Sequence, residues 1–261
     1  MCTVVRETRT VDPFDPAAIA TPAAPLAQPA APVLVDQPHP VRLLPGFWQV
    51  GGGYLSHDRD AASYLLVDER TGAGILVDCG SHSGLAALRA NIQQITALDR
   101  IKLVIGTHGH WDHIEAYGHL RDEMRAPIAL HARDADAVER GDPDLTCAGW
   151  LYNEPFHTFP IDIRLHGGER YLVGGYALEI LHLPGHSPGS IGIRAVYERT
   201  GQSILIPGDA IQGAYGRRIH SSLSAWKRSL RRLMQDPPDL LVPNHLPAGA
   251  QTLNTLLQSV F

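Results

Sequence analysis

Short apolar runs of about four to seven residues recur from residue 46 onward, each closed by Gly, Pro, Asp or His. Runs of that length between turn formers read as strands, and unbroken rather than alternating runs read as strands buried on both faces. The pattern predicts strands at Phe47–Val50, Ser63–Val67, Gly74–Asp78, Lys102–Gly106, Ile128–His131, Tyr171–Val173, Ala177–Leu183, Ser190–Val196, Ser203–Ile206 and Leu240–Val242. Between them, apolar residues at helical spacing predict helices at Gly84–Ile95, Glu115–Met124, Arg133–Arg140, Leu223–Met234 and Ala248–Val260. Strands alternating with helices define an α/β domain over residues 46–261. Residues 1–45 break the pattern: stretches such as Pro22-Ala23-Ala24-Pro25 have no period and few backbone donors, and read as an extended Pro/Ala-rich arm. Residues 141–168 form a long irregular insertion holding Trp150, Tyr152, Phe156 and Phe159. Such a segment is either a substrate wall or a loop whose aromatics plug the core.

Composition narrows the function classes. With 44% hydrophobic and 19% charged residues, the chain is globular. The net charge is −5, and the one basic cluster, Lys227-Arg228 with Arg231-Arg232, interleaves with Trp226, Leu230 and Leu233 as the solvated face of a helix. Nucleic acid is therefore not an expected partner, and with no apolar run of about 18 residues neither is a membrane. A small-molecule substrate remains, and a homo-oligomer stays open. Cys2, Cys79 and Cys147 form no disulfide framework and no Cys-x-x-Cys pair, and the first residues lack the apolar stretch of a secretory signal. The expected compartment is the cytoplasm, with Cys79 a small buried thiol at a strand end.

The chemistry concentrates in Thr107-His108-Gly109-His110-Trp111-Asp112-His113, directly after the apolar run Leu103-Val104-Ile105. In an extended segment His108 and His110 point to the same side, and Asp112 and His113 follow as the chain turns. Four N/O donors at the carboxyl end of a buried strand point to a metal site. Further candidates each follow a predicted strand: Asp78, His186 in Pro184-Gly185-His186-Ser187-Pro188-Gly189, Asp209 after Gly208, and His245 after Pro243-Asn244. Gly185-His186-Ser187-Pro188-Gly189 also fits the serine-hydrolase elbow, with Asp209 or Asp239 and then His245 in triad order. The residue after that nucleophile must donate its N–H to an oxyanion, and Pro188 has none.

In these motifs, in this order, the chain resembles the metallo-β-lactamase-fold hydrolase superfamily over roughly residues 46–261. The resemblance implies a four-layer αβ/βα sandwich of two mixed β-sheets flanked by helices, with two divalent metal ions between the loop ends. It assigns His108, His110 and His186 to one ion, Asp112, His113 and His245 to the other, and Asp209 as a bridge between them. It also gives Asp112 a catalytic role in proton transfer and sets Asp78 behind the ligands to orient one of them. Five imidazoles and two carboxylates suit zinc first, with iron or manganese as alternates, and argue against a magnesium or calcium cage. Two such ions with a bridging hydroxide imply attack on a polarised carbonyl.

Within the superfamily, Asp209 shifts weight from β-lactam hydrolysis towards glyoxalase II-like thioesterases, lactonases and esterases. Only 16 residues follow His245, too few for the helical glutathione-binding domain of glyoxalase II. Lactonases of this fold place a Tyr three residues after the bridging Asp, where this chain has Gln212, with Tyr215 three further on. Trp150, Tyr152 and Tyr215 are candidate substrate contacts. The reading is a dinuclear metal-dependent hydrolase of esters, lactones or thioesters. Its alternatives are β-lactam hydrolysis and a mononuclear iron persulfide dioxygenase built on His108, His186 and Asp209.

Overall fold

The computed structural model describes residues 39–214 and 216–245. Its strands form two mixed sheets. The first holds seven strands in chain order: β1 (Val41–Leu44), β2 (Phe47–Gly51), β3 (Ser63–Val67), β4 (Gly74–Val77), β5 (Ile101–Ile105), β6 (Ile128–His131) and β7 (Ile163–Leu165). Pairing is antiparallel from β1 to β4 and parallel from β4 to β7. The second holds β8 (Arg170–Val173), β9 (Tyr176–His182), β10 (Ile191–Tyr197), β11 (Ser203–Ile206) and β12 (Leu240–Leu241) in the spatial order 12-11-10-9-8, with only β11 and β12 parallel.

Strand periodicity sorts the side chains into three buried layers, which makes four layers of structure. Leu65, Val67, Leu76, Val104 and Leu130 leave one face of the first sheet to meet Leu88 and Ile92 of α1 (Leu85–Gln93), Leu120 and Met124 of α3 (Tyr117–Met124), and Val138 of α4 (Ala132–Arg140). Their neighbours Tyr64, Leu66, Ile75, Val77 and Ile105 leave the other face and pack between the sheets against Leu178, Ile180, Ile193, Ile204 and Ile206. Beyond the second sheet, Leu181, Leu183, Leu205 and Leu241 meet Trp226, Leu230 and Leu233 of α5 (Leu223–Gln235). The runs that break alternation in the sequence are those with an apolar layer on each side. The helix α5 starts where the Ser222 hydroxyl accepts from the Ala225 N–H, and Lys227, Arg228, Arg231 and Arg232 line its exposed face as expected.

Strand direction gathers the functional loops. Because β9 and β11 are each antiparallel to β10, and β12 is parallel to β11, the chain leaves β9, β11 and β12 at the same edge of the second sheet. It leaves the parallel β4 and β5 at one edge of the first. The Ile191 N–H donates to the Thr107 carbonyl at 2.9 Å, joining the two edges.

Three features depart from the expected elements. The strand β1 lies inside the stretch read as arm, its apolar signal masked by flanking prolines. The three-residue β7 lies inside the irregular insertion, paired through Ala129, Leu130 and His131 of β6. The helix expected at Glu115–Met124 is α3, starting two residues later, and a separate turn not expected from the sequence, α2 (Trp111–Ile114), precedes it, so Asp112 and His113 sit on a helical turn. Met1, Cys2 and the rest of residues 1–38, Tyr215, and the expected helix Ala248–Val260 lie outside the described residues. Among the described residues no helix is long and apolar enough to cross a membrane.

Ile193 is fully buried between the sheets. The Ile193→Ala variant is expected to lose about 2–5 kcal/mol of stability in chemical denaturation, the cost of a cavity in a rigid core.

Candidate metal centre

After β5 the chain bends at Thr107, His108 and Gly109 rather than continuing straight, and His110 opens α2 with extended backbone angles. The two imidazoles lie with ring centroids 4.3 Å apart. His186, from the β9–β10 loop, brings its Nε2 to 3.1 Å from His110 Nδ1, while its own Nδ1 is fixed by the Gly213 carbonyl at 2.9 Å. On the other side, His113 Nε2 and His245 Nε2 are 3.1 Å apart, and Asp112 Oδ2 is 3.2 Å from His245 Nε2. Asp209 stands between the groups: its Oδ2 lies 3.4 Å from His186 Nε2 and 3.4 Å from His245 Nε2. Two clusters of ligand type result, His108–His110–His186–Asp209 and Asp112–His113–His245. Each draws side chains from loops of both sheets.

The supporting contacts fix these rings. Asp78, fully buried, accepts from the Thr107 N–H (2.8 Å), the Thr107 hydroxyl (2.8 Å), His113 Nδ1 (2.8 Å) and Asn244 Nδ2 (2.9 Å). Holding His113 by Nδ1 leaves its Nε2 aimed at the cluster, the arrangement that sets tautomer and direction in metal-binding histidines. The loop carrying His245 is tied to β3, where the Tyr64 hydroxyl donates to the Pro243 carbonyl at 2.8 Å and Asn244 Nδ2 to the Ala62 carbonyl at 2.9 Å. Gly208, at φ +55, precedes Asp209 because a Cβ there would come within 2.6 Å of Thr107 Cβ.

The electrostatics divide the two clusters. Burial holds His108 well below the ordinary imidazole range, takes His110 down to about 3 and lowers His186, so all three are neutral lone-pair donors at pH 7. Burial opposes charge on His113 and His245 too. There the carboxylates win: Asp112, Asp209 and Asp78 push His113 up, and Asp209 and Asp112 lift His245 to about 9. Burial would raise the Asp112 and Asp209 carboxyls, and the charges of His113 and His245 hold both below the usual range.

A domain model described as the metallo-beta-lactamase superfamily matches residues 57–245. The chain belongs to the metallo-beta-lactamase superfamily. Among curated superfamily relatives, it is 32% identical over 115 residues to a probable metallo-hydrolase of Bacillus subtilis, covering 44% of this chain and 52% of that one. It is 26% identical over 189 residues to a hydroxyacylglutathione hydrolase of Ruegeria pomeroyi, covering 72% of this chain and 59% of that one. The chain thus spans little more than half the length of these two relatives. Among solved structures, a metallo-beta-lactamase motif mutant from Cronobacter sakazakii superposes with a TM-score of 0.68 at 23% identity, covering 79% of this chain and 80% of that one. The metallo-beta-lactamase BJP-1 of Bradyrhizobium japonicum gives 0.67 at 20% identity, covering 85% and 90%. These two likenesses share the fold.

Superfamily membership and the two His/Asp clusters together imply divalent metal ions. The donors fit that role. His108 Nε2 is buried without a hydrogen-bond partner, a costly arrangement that an ion would satisfy, and His110 turns its Nδ1 towards His186 Nε2.

The elbow motif has a different job. The Ser187 hydroxyl is fully buried and donates to Asp134 Oδ2 at 2.6 Å, not to a histidine. Asp134 also accepts from the Gly189 N–H (2.7 Å) and the Gly109 N–H (3.1 Å), clamping the His186 loop to the His108–His110 segment. Burial raises its carboxyl to about 6. Sequence reasoning missed Asp134, whose only signal is an acidic residue on a buried helix face. It also missed Cys147, a buried thiol pushed up by burial and by the charges of Asp112 and Asp209. Cys79 is buried as expected, its N–H bound to the His113 carbonyl.

The candidate substrate contacts separate. Tyr152 stacks on Trp111 with ring centroids 4.8 Å apart, and burial followed by the nearby Asp112 carboxylate raises the Tyr152 phenol. Trp150 is 39% exposed, donates to the Asp144 carbonyl at 3.2 Å and carries the Arg218 guanidinium 4.8 Å above its ring. Phe159 is buried and Phe156 packs beside it in the helix-side core, so the insertion's aromatics divide between core and site.

Two outcomes follow. Asp134→Ala strips three buried donors of their acceptor and is expected to cost roughly 3 kcal/mol or more in thermal or chemical unfolding. Zinc added to metal-free protein at pH 7 is expected to displace at least the proton held on the His113–His245 pair, since a group raised above 7 is protonated there and must lose its proton to bind. The three neutral imidazoles of the other cluster release none. Calorimetry in buffers of different ionisation enthalpy reads this number directly.

Proposed function

We propose that this metallo-hydrolase is dinuclear and opens the carbonyl of a carboxylic ester, lactone or thioester. The observation that carries the reading is Asp209 Oδ2, which lies 3.4 Å from a histidine of each cluster; a carboxylate in that position would serve both ions. His108, His110 and His186 would hold one ion, and Asp112, His113 and His245 the other. Bound ions of the zinc class supply Lewis acidity and a water acidic enough to act as nucleophile near neutral pH. The hydroxyacylglutathione hydrolase relative, whose name denotes a thioesterase, supports the acyl substrate class.

The chain's own residues do the rest. Asp78 accepts the Nδ1–H of His113 at 2.8 Å and so fixes the ring with Nε2 as the atom offered to the cluster. Asp112, held ionised by its neighbours, would accept the proton given up by the attacking water and hand it to the departing alkoxide or thiolate. Tyr152 steadies that carboxylate through its hydroxyl and closes one wall of the site. Trp150, held by Arg218 and Asp144, forms the outer rim where the variable part of a substrate rests.

Elemental analysis of the purified protein tests the metal count, and a panel of esters, lactones, thioesters and β-lactams tests the substrate class. About two ions per chain with turnover of an acyl substrate is the expected result. One iron per chain with oxygen-dependent consumption of a persulfide would overturn the hydrolase reading, and turnover of β-lactams alone would move it to the family of its structural neighbours. Asp112→Ala is expected to abolish turnover, and full activity in that variant would remove its proton-transfer role. Tyr152→Phe is expected to lower kcat/KM roughly tenfold with unchanged metal content, the effect of one lost hydrogen bond to a charged group.

A further inference from the structure

Apart from the two clusters already described, a third group of ligand-type side chains lies on the far side of α2. Glu115 follows His113 by two residues, yet its side chain is fully buried and turned the other way, into a ring of histidines. Its Oε2 accepts from the His82 N–H at 2.6 Å and lies 2.9 Å from His82 Nδ1. Its Oε1 lies 2.5 Å from His157 Nδ1 and 3.6 Å from His119 Nε2. The ring centroids of His82 and His157 are 5.6 Å apart, and those of His119 and His157 are 4.9 Å apart. No Lys or Arg pairs with this carboxylate among the described residues.

We propose that His82, Glu115 and His157, with His119 as a fourth donor, form a further metal site that takes a zinc-class divalent ion. Two arguments carry it. The first is spacing. Zinc bonds of about 2.0–2.1 Å in a tetrahedron set donor atoms about 3.3 Å apart. His157 Nδ1 lies 2.5 Å and His119 Nε2 3.6 Å from Oε1, His82 Nδ1 lies 2.9 Å from Oε2, and one donor atom each from His82, Glu115 and His157 fall within 4.8 Å of one another, so small shifts would bring them to that spacing. The separations within the hydrolytic clusters, 3.1–3.7 Å, are similar. The second is chemistry. A fully buried carboxylate needs a cation or a full set of donors, and imidazole with carboxylate is the ligand mixture zinc-class ions prefer. The carboxylate is buried while the histidine side chains are 30–48% exposed, so an ion has a path in from solvent.

The site joins three separate segments. His82 lies on the loop after β4, two residues from Gly80, whose N–H is bound to the His113 carbonyl at 3.1 Å. Glu115 and His119 belong to the α2–α3 junction. His157 belongs to the insertion, which Trp111 Nε1 already holds through the Pro155 carbonyl at 3.1 Å. An ion here would pin the insertion, and with it Tyr152, against the back of the helix that carries Asp112 and His113. Its role is positional, distinct from the hydrolytic ions and independent of which substrate they serve.

The test loads full-length protein with Zn2+ at micromolar free concentration, removes excess and counts zinc per chain by mass spectrometry. His157→Ala and His82→Ala are each expected to hold one zinc fewer than wild type. Asp209→Ala, read in parallel, should lose zinc from the hydrolytic clusters and keep the increment that depends on His157. Limited proteolysis should show cleavage within residues 141–160 accelerated in His157→Ala and, after chelation, in wild type. Circular dichroism establishes that the variants fold, and because both histidines are partly exposed, failure of one leaves the other to decide. Equal zinc content in wild type and in a folded variant of either histidine would overturn the proposal, whatever the fate of the hydrolytic clusters.

Discussion

The carboxylate of Asp78 accepts four hydrogen bonds while fully buried, and those bonds join β4, the loop after β5 and the segment after β12. Its backbone sits at φ 56, a left-handed conformation that costs a non-glycine residue of order 1 kcal/mol or more. The conformation persists because the surrounding bonds over-determine it. Without this anchor the His113 ring would be free to rotate and the Asn244–His245 segment would lose its tether to the first sheet. Both clusters depend on it, since Thr107, which gives Asp78 two of its bonds, leads directly into His108.

The same logic explains why so much polar material is tolerated at depth. The described residues bury five histidines, five aspartates and one glutamate, with His245 partly open to solvent. Much of the burial is offset locally: Asp134 by three donors, Asp78 by four, Glu115 by the histidines around it, and the unpaired His108 Nε2 by an ion of the kind that superfamily membership implies. The three apolar layers do not pay this cost; they hold the edges still, which is what makes fixed ring directions achievable.

Much of this was legible in the sequence, for identifiable reasons. The ligand clusters were, because four donors fall within six residues and each remaining one follows an apolar strand run. The two-sheet layering was, because runs buried on both faces leave unbroken apolar stretches. Asp134 was not, since nothing in a helical Arg133-Asp134-Ala135 announces three partners from distant loops. Glu115, His82 and His157 were not, because their convergence spans 75 residues and no short spacing encodes it. The strand β1 was hidden by the prolines around it, and β7 by having only three residues. Ser187 shows the opposite failure, a local motif that matches a nucleophile and is spent on a structural hydrogen bond.

The two sheets contribute to each proposed ion from opposite halves of the chain: residues 108–113 from the first, residues 186, 209 and 245 from the second. No segment ending before His186 can bring the first cluster together, and the second is incomplete without His245. Each cluster is therefore a reporter of docking between the sheets. While the second sheet is unformed the donors are scattered far apart along the chain, and they converge only once its strands have packed against the first. Assembly of the centre and assembly of the sandwich are one event.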